Sequence, residues 1–411
     1  MRAFVEIWKY HAIVLACIGI SNVGGWVYHI ALNLIILDQT GSALAVTGLY
    51  LLKPLAILFT NSWSGSLIDR MKKRNLMIGL NVLQASLIVC LPFLSSLWFI
   101  YALVLIINMA NAMFHPTSMI YITKLIPIDE RKRFNSFRSL IDSGAFLIGP
   151  AIAGLLFMIG TPDHAIYVNA ISLCIAGILI GCLPEIEGDE FVREANVKIS
   201  IATLREDWRV VNDFSRRSRY VVTIYFLFSA VTVMTWGVDS LEAAFAKEVL
   251  QLTNTAYGLL VSIAGGGILV GAIMNTLFVK KLSTSLLMGL GSILLALGYL
   301  VFAISTEFSM AAIGCFVLSF SLAFANTGFY TFYQNNIPVE IMGRIGSLFG
   351  FVEALFTIFV IILCGLLAQL VSIHFSVIVG VIIMFIFAVA VFISLFLPSN
   401  HRSYKAREIV K

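Results

Sequence analysis

The chain has 411 residues, of which 60% are hydrophobic and only 12% are charged. Because a soluble domain typically carries about 25% charged residues, this composition excludes an ordinary water-soluble fold. The net charge of +5 is spread over separate loops, so it does not indicate a nucleic-acid partner.

Apolar runs long enough to cross a bilayer as helices recur along the whole chain. They are too long, and alternate too little, to be the strands of a membrane barrel. The sequence therefore predicts an all-α integral membrane protein with twelve transmembrane helices. These spans cover residues 10–37, 43–68, 76–94, 97–122, 136–160, 164–183, 219–245, 253–279, 284–304, 308–335, 345–371 and 375–397.

The distribution of basic residues predicts the orientation of the spans. Of the 27 lysines and arginines, 25 lie on the side of the membrane that holds both termini and the loops from even to odd spans. This asymmetry predicts that both termini are cytoplasmic. We expect the protein to lie in the plasma membrane as a multi-pass protein. The predicted domains are a six-helix bundle over 1–183, a charged cytoplasmic linker over 184–218, a second six-helix bundle over 219–397 and a cytoplasmic tail over 398–411.

The two halves of the chain repeat one another at an offset of 210 to 211 residues. Ile126–Asp129, followed by Ser136, recurs as Ile337–Glu340, followed by Ser347. A repeat with an even number of helices keeps its orientation in the membrane, so the two bundles are parallel repeats. Two such bundles around a central path have the geometry that alternating access requires.

The loop at residues 65–74 joins spans 2 and 3, and half of its residues are charged. The positive-inside rule explains its basic residues but not its glycine or its aspartate. The loop resembles the Gly-x-x-x-Asp-Arg/Lys-x-Gly-Arg/Lys-Arg/Lys motif of the major facilitator superfamily, with lysine at 72 in place of the second glycine. The resemblance implies the major facilitator fold and a conformational latch, in which the aspartate docks near the start of helix 11. The matching residues are Gly65, Asp69, Arg70, Lys73 and Arg74.

Span 5 carries Gly149, Pro150 and Gly154 in a pattern similar to the Gly-Pro-x-x-Gly-Gly motif of antiporters. Close helix packing through small residues is the alternative interpretation. The duplicated Ile-Pro-x-acid loops, together with Asn111 and Pro116, look most like the macrolide-efflux branch of drug exporters. The resemblance therefore implies export by antiport.

Ionisable residues inside spans are costly and are candidate functional sites. We expect Lys53 of span 2 and Glu353 of span 11 to approach each other, because the resembling fold places these helices side by side. Asp142 lies four residues after Arg138, so an ion pair on one helix face is expected, with proton transfer as the alternative. Asp239 and Glu242 are spaced for one face of span 7. With Glu353 they are the candidate proton sites. For Asp239 and Glu242 the alternative is a solvated rim at the outer end of the span, and for Lys53 and Glu353 it is that each reaches a water-filled cavity alone.

Polar side chains inside lipid are expected to face a cavity or another helix. The resemblance implies that spans 1, 4, 7 and 10 line the substrate path, and these spans carry most of the intramembrane amide and histidine groups. A histidine in a span is alternatively a packed hydrogen-bonding residue. The candidate cavity residues are Asn22, Trp26, His29, Asn33, Asn108, Asn111, His115, Trp236, Asn326 and Tyr330.

The chain lacks a Walker loop, metal-ligand spacing of its cysteines and histidines, and a hydrolytic constellation. We therefore expect a transporter and not an enzyme, without a metal or another cofactor, driven by a proton gradient. Its expected partners are an amphipathic small molecule and the lipid bilayer, with no nucleic acid, and the protein is expected to be a monomer. The alternatives are a proton-coupled importer and, with less support, a membrane-embedded lipid enzyme.

Overall fold

A computed structural model describes residues 2–40, 43–159, 162–187, 201–252 and 254–396, and these are helical throughout apart from short turns. The predicted tail over 398–411 and the linker residues 188–200 lie outside the described residues. Twelve long helices follow the twelve predicted spans, and a further helix, Ile201–Arg217, lies in the linker. The twelve are α1 (Arg2–Thr40), α2 (Ala43–Arg70), α3 (Lys73–Cys90), α4 (Leu97–Leu125), α5 (Arg131–Ile159), α6 (Pro162–Gly181), α7 (Arg219–Asp239), α8 (Asn254–Phe278), α9 (Thr284–Ala303), α10 (Phe308–Asn336), α11 (Met342–Leu370) and α12 (Ile373–Phe396).

Eleven of the described helices are long and apolar enough to cross a membrane. The remaining predicted span, 43–68, is helical within α2 but is not one of these eleven. The architecture confirms the prediction of an all-α membrane protein.

The helices form two compact units, and the first consists of Met1–Phe134, Ile141–Asn212 and Pro338–Leu355. Within it α1 packs against α6, α3 packs against both α6 and α4, and α2 packs against α4. Its larger apolar core includes Val27 and Ile166, which are fully buried.

The second unit consists of Asn135–Leu140, Asp213–Ile337 and Phe356–Lys411. Within it α7 packs against α12, α9 packs against both α12 and α10, and α8 packs against α10. These pairs are the repeat equivalents of the pairs in the first unit. The packing therefore confirms the duplication that the sequence register predicts.

Two segments depart from this simple division. Asn135–Leu140, in the second and third turns of α5, belong to the unit that otherwise holds the second repeat. The first half of α11 belongs to the unit that otherwise holds the first repeat. The boundaries predicted for the sequence domains stay a prediction.

Candidate functional site

Gly65 lies near the end of α2, where this helix meets the start of α11. A Cβ atom at residue 65 would lie 2.8 Å from the Cα atom of Arg344 and 3.0 Å from the carbonyl oxygen of Gly343. Both are backbone atoms, so they cannot move aside as the end of a flexible side chain can. The glycine of the loop motif thus permits a close approach of two backbones. Lys72 has φ −60° and ψ 114°, a conformation open to any residue, so the turn does not require the second glycine.

Asp69 docks on the first turn of α11. Its Oδ1 atom accepts a hydrogen bond from the Gly343 N–H at 2.9 Å, and its Oδ2 atom accepts one from the Arg344 N–H at 3.1 Å. The guanidinium Nε of Arg344 lies 3.2 Å from Oδ2. The first N–H groups of a helix have no partner within it and carry partial positive charge, so a carboxylate is favoured there. Asp69 makes the contact that the motif implies; its role as a latch stays a prediction.

The close contact at Gly65 leads to a matched pair of substitutions. Gly65→Ala is expected to separate α2 from α11 and to destabilise the protein by about 1–3 kcal/mol, because the added Cβ meets backbone. Gly79→Ala, inside α3, is the control, since a Cβ at that position has no neighbour within 4 Å. This control is expected to be neutral or to stabilise by up to about 1 kcal/mol through helix propensity. Thermal unfolding in detergent measures both variants, and equal melting temperatures would contradict the prediction.

Lys73 and Glu187 form a buried ion pair beside this contact. The ammonium Nζ of Lys73 lies 3.1 Å from Oε1 of Glu187, and the Lys73 N–H donates to Oε2 at 2.6 Å. The same ammonium donates to the carbonyl oxygens of Asp69 at 3.1 Å and Met71 at 2.7 Å. Lys124 donates to Glu187 at 2.8 Å. Lys73 therefore ties the beginning of the linker to the backbone of the loop that carries the docked aspartate.

Arg74 binds the same stretch of the linker at its edge. Its guanidinium pairs with Glu185 at 3.0 Å and donates to the carbonyl oxygen of Leu183 at 2.9 Å. Arg70 is half-buried at the last residue of α2, and its predicted role stays untested. The acidic partners Glu185 and Glu187 were not among the predicted site residues, although two acids at the start of a charged linker are a readable signal.

Glu187 and Glu185 provide a second matched pair of substitutions. Burial alone would raise the pKa of Glu187, but hydrogen bonds from Lys124 and Lys73 outweigh it and hold this pKa below its usual value. Glu187→Gln leaves the Lys73 ammonium buried without its carboxylate and is expected to cost about 3–5 kcal/mol of stability. Glu185→Gln breaks a partly exposed pair and is expected to cost at most about 1 kcal/mol. Equal losses of melting temperature in the two variants would contradict the larger contribution expected from the buried pair of Lys73 and Glu187.

The predicted polar face of α1 lies against α5. The amide of Asn22 donates to Asp142 at 2.6 Å, which makes Asn22 a partner of this acid. One turn on, the Trp26 ring packs edge-on against Phe146 with ring centroids 4.9 Å apart. A Cβ at Gly149 would collide with the Cβ atom of Trp26, so this glycine makes room for the Trp26 side chain. The ion pair predicted between Arg138 and Asp142 stays a prediction.

The other residues of the antiporter-like motif, Pro150 and Gly154, and the predicted pair of Lys53 and Glu353 have fewer identified contacts. A Cβ at Gly154 would meet no atom within 4 Å, so close packing does not explain this glycine. Pro150 lies inside α5. Lys53 is exposed, and its charge acts on His29. An ion pair between Lys53 and Glu353 is not among the contacts of the described residues, so their approach stays a prediction.

Two acids and two tyrosines meet at the end of α7. The hydroxyl of Tyr299 donates to Oδ1 of Asp239 at 2.7 Å, and the hydroxyl of Tyr257 donates to the carboxylate of Glu242. The spacing predicted one helical face for the acids, but α7 ends at Asp239 and a turn at Ser240 separates them. The electrostatic influence of Glu242 still reaches Asp239, so the two carboxyls form one cluster. Neither tyrosine was predicted: Tyr257 lies on the following helix, α8, and Tyr299 on α9, and sequence spacing does not mark either of them as a partner of these acids.

The other candidate cavity residues are accessible to different degrees. Asn111, His115 and Trp236 are exposed, and Asn33, Asn108, Asn326 and Tyr330 are half-buried. Tyr330 has a defined partner, since the guanidinium of Arg138 lies 4.7 Å from the centre of its ring. Their assignment to a substrate path stays a prediction. In the described ranges no group of three acidic, histidine or cysteine side chains is arranged to hold a metal ion.

Comparison with known proteins identifies the family of this architecture. The sequence profile of the Major Facilitator Superfamily matches residues 13–360. An uncharacterized MFS-type transporter of Bacillus subtilis, YfiS, is 23% identical over 353 residues, which cover 84% of this chain and 82% of that protein. Macrolide efflux protein A of Streptococcus pyogenes is 22% identical over 386 residues, with 90% of each chain covered.

A solved structure shows the same fold at low sequence identity. The crystal structure of the human organic anion transporter MFSD10 superposes with a TM-score of 0.77 at 12% identity. The match covers 95% of this chain and 99% of the human one.

Proposed function

Because this chain belongs to the Major Facilitator Superfamily and is a transporter rather than an enzyme, we propose that it exports an amphipathic small molecule in exchange for protons. Export would proceed by alternating access in the plasma membrane, with both termini in the cytoplasm. The proton gradient supplies the driving force, and the protein acts as a monomer without a bound cofactor.

The arrangement of Asp239 and Glu242 is the observation on which the proposed coupling rests. Each carboxyl accepts a hydrogen bond from a tyrosine hydroxyl, at Tyr299 and Tyr257 respectively. Within the described ranges, neither acid forms an ion pair with a lysine or arginine. A carboxyl that is held by neutral donors, beside a second acid, has no fixed positive charge to keep it ionised. It is therefore suited to take up and release a proton during each cycle.

The export direction is supported by two features of the sequence. One relative of similar length is a macrolide efflux protein, and the α5 motif resembles that of antiporters. Gly149 of that motif makes room for Trp26, so the motif couples a candidate cavity residue to the backbone of α5. A labelled macrolide is accordingly a reasonable first probe.

Inside-out membrane vesicles with an acidic interior test this proposal. An exporter that exchanges substrate for protons would accumulate the labelled macrolide in these vesicles, and an uncoupler would abolish the accumulation. Loss of label from preloaded vesicles under the same gradient would instead indicate proton-coupled import. Accumulation that survives the uncoupler would contradict proton coupling.

A further inference from the structure

The second repeat lacks an acid where the first repeat has Asp69. At the offset of 211 residues, Lys280 stands in that place. The interaction between Asp69 and α11 therefore has no acidic counterpart, and the loop motif by itself suggests that the latch exists in one repeat only. The structure nevertheless shows a dense set of polar contacts at the equivalent place in the second unit.

These contacts begin at two serines that occupy the same place in the two repeats. Ser347 of α11 lies with its Oγ 3.3 Å from that of Ser64 near the end of α2. Its repeat equivalent, Ser136 of α5, donates to Oγ1 of Thr276 at 3.0 Å and accepts from the amide of Asn275 at 3.4 Å. Asn275 is itself the repeat equivalent of Ser64. The start of α5 thus meets the end of α8 as the start of α11 meets the end of α2.

An uncharged network extends this second contact to α10. The amide nitrogen of Asn135 donates to Oε1 of Gln334 at 2.8 Å and to Oγ1 of Thr331 at 3.0 Å. The amide of Asn275 donates to Oγ1 of Thr327 at 2.8 Å. The side chains are almost completely buried, with Asn135 and Asn275 at 0% exposure and Gln334 at 2%. Three helices therefore meet through hydrogen bonds between amide and hydroxyl groups.

Neutral hydrogen bonds suit a contact that must break and re-form. Each contributes about 1 kcal/mol net, because water replaces it when the contact opens. A buried ion pair is more demanding, since separating it exposes or strands a charge. We propose that Asn135 and Ser136 form a second, uncharged gate contact, which holds the start of α5 against α8 and α10 in one state of the transport cycle and is broken in the other.

This proposal rests on the alternating-access part of the proposed function and is independent of the substrate, the direction and the coupling ion. Spin labels at residues 129 and 280 report on the loops that precede α5 and follow α8. Both native side chains are exposed. The full chain, with its native cysteines replaced, is measured by double electron–electron resonance without substrate or gradient. Asn135→Ala is expected to lower the ratio of the short-distance to the long-distance population roughly twentyfold, because two neutral hydrogen bonds are lost.

A double-mutant cycle separates a gate contact from a general packing effect. Gln334→Ala removes one partner of Asn135 from the other helix and is expected to shift the same ratio by roughly fivefold. The double variant is expected to shift it by less than the product of the two single effects, because both variants remove the same bond. Ser292→Ala is the control, because its buried hydroxyl donates within its own helix, to the carbonyl oxygen of Met288 at 2.7 Å.

The outcomes distinguish this inference from the proposed function. A population shift with Asn135→Ala, but not with Ser292→Ala, supports the second gate contact even if vesicle transport shows no proton coupling. Unchanged distance populations in a folded Asn135→Ala variant overturn it. If Asn135→Ala fails to fold, an unchanged population in Gln334→Ala overturns it equally.

Discussion

Replacing Asp69 by alanine is expected to lower the transport rate roughly tenfold or more. The substitution removes the acceptor of two α11 N–H groups and the partner of the Arg344 guanidinium. Hydrogen bonds to charged groups contribute about 1.5–3 kcal/mol each, and about 1.4 kcal/mol changes a population tenfold. The state in which α2 and α11 are docked becomes rare, so the cycle stalls in the other state. The rate is measured in proteoliposomes at equal protein density.

The controls for Asp69 separate its docking from its charge. Asp69→Asn keeps one acceptor oxygen, so its transport rate is expected to lie between the rates of Asp69→Ala and of the wild type. Asp129 is an exposed acid in another predicted cytoplasmic loop, so Asp129→Asn removes the same charge without a docking contact. It is expected to transport normally. Normal transport by Asp69→Asn and Asp69→Ala would remove the latch from this mechanism.

The repeat register was sufficient to predict that the two halves pack alike, because duplicated spans keep equivalent neighbours; which helices pair within each half came from the structure. The loop motif likewise located Asp69, since its partner is the start of a helix, a feature that a sequence pattern can mark. Gly65 followed for the same reason: a close approach of two backbones excludes every other side chain. These features are encoded by short sequence motifs and by the register of the internal repeat.

The missed residues depend on partners that come from distant parts of the chain. Tyr299 reaches Asp239 across 60 positions, and Asn135 reaches Gln334 across 199. Tyrosine and asparagine are common in membrane helices, so neither residue type identifies its partner. The end of α7 at Asp239 was also missed, because apolar residues continue past it and only the backbone turn at Ser240 reveals the break. Such contacts follow from tertiary packing and not from spacing.

Removing the two acids at the end of α7 is expected to abolish uphill transport and to preserve downhill exchange. In the Asp239→Asn, Glu242→Gln variant, each amide still accepts a bond from its tyrosine, so the local packing is retained. The proton that must bind in each cycle has lost its site, however. Accumulation of labelled macrolide is therefore expected to fall to the level of vesicles without a gradient. Exchange of label between equal concentrations on both sides is expected to continue.

Two single variants make this prediction specific to the cluster. Tyr299→Phe removes the donor to Asp239, a bond to a charged group, and is expected to shift the pH dependence of transport and lower its rate roughly tenfold. Glu307→Gln removes an exposed acid that precedes α10 and is expected to leave both measurements unchanged. The prediction requires that accumulation is lost while exchange continues, because a general structural defect would lower uphill transport and exchange together. Retained accumulation in the double variant would exclude Asp239 and Glu242 as the coupling site and would direct attention to Glu353 and Asp142.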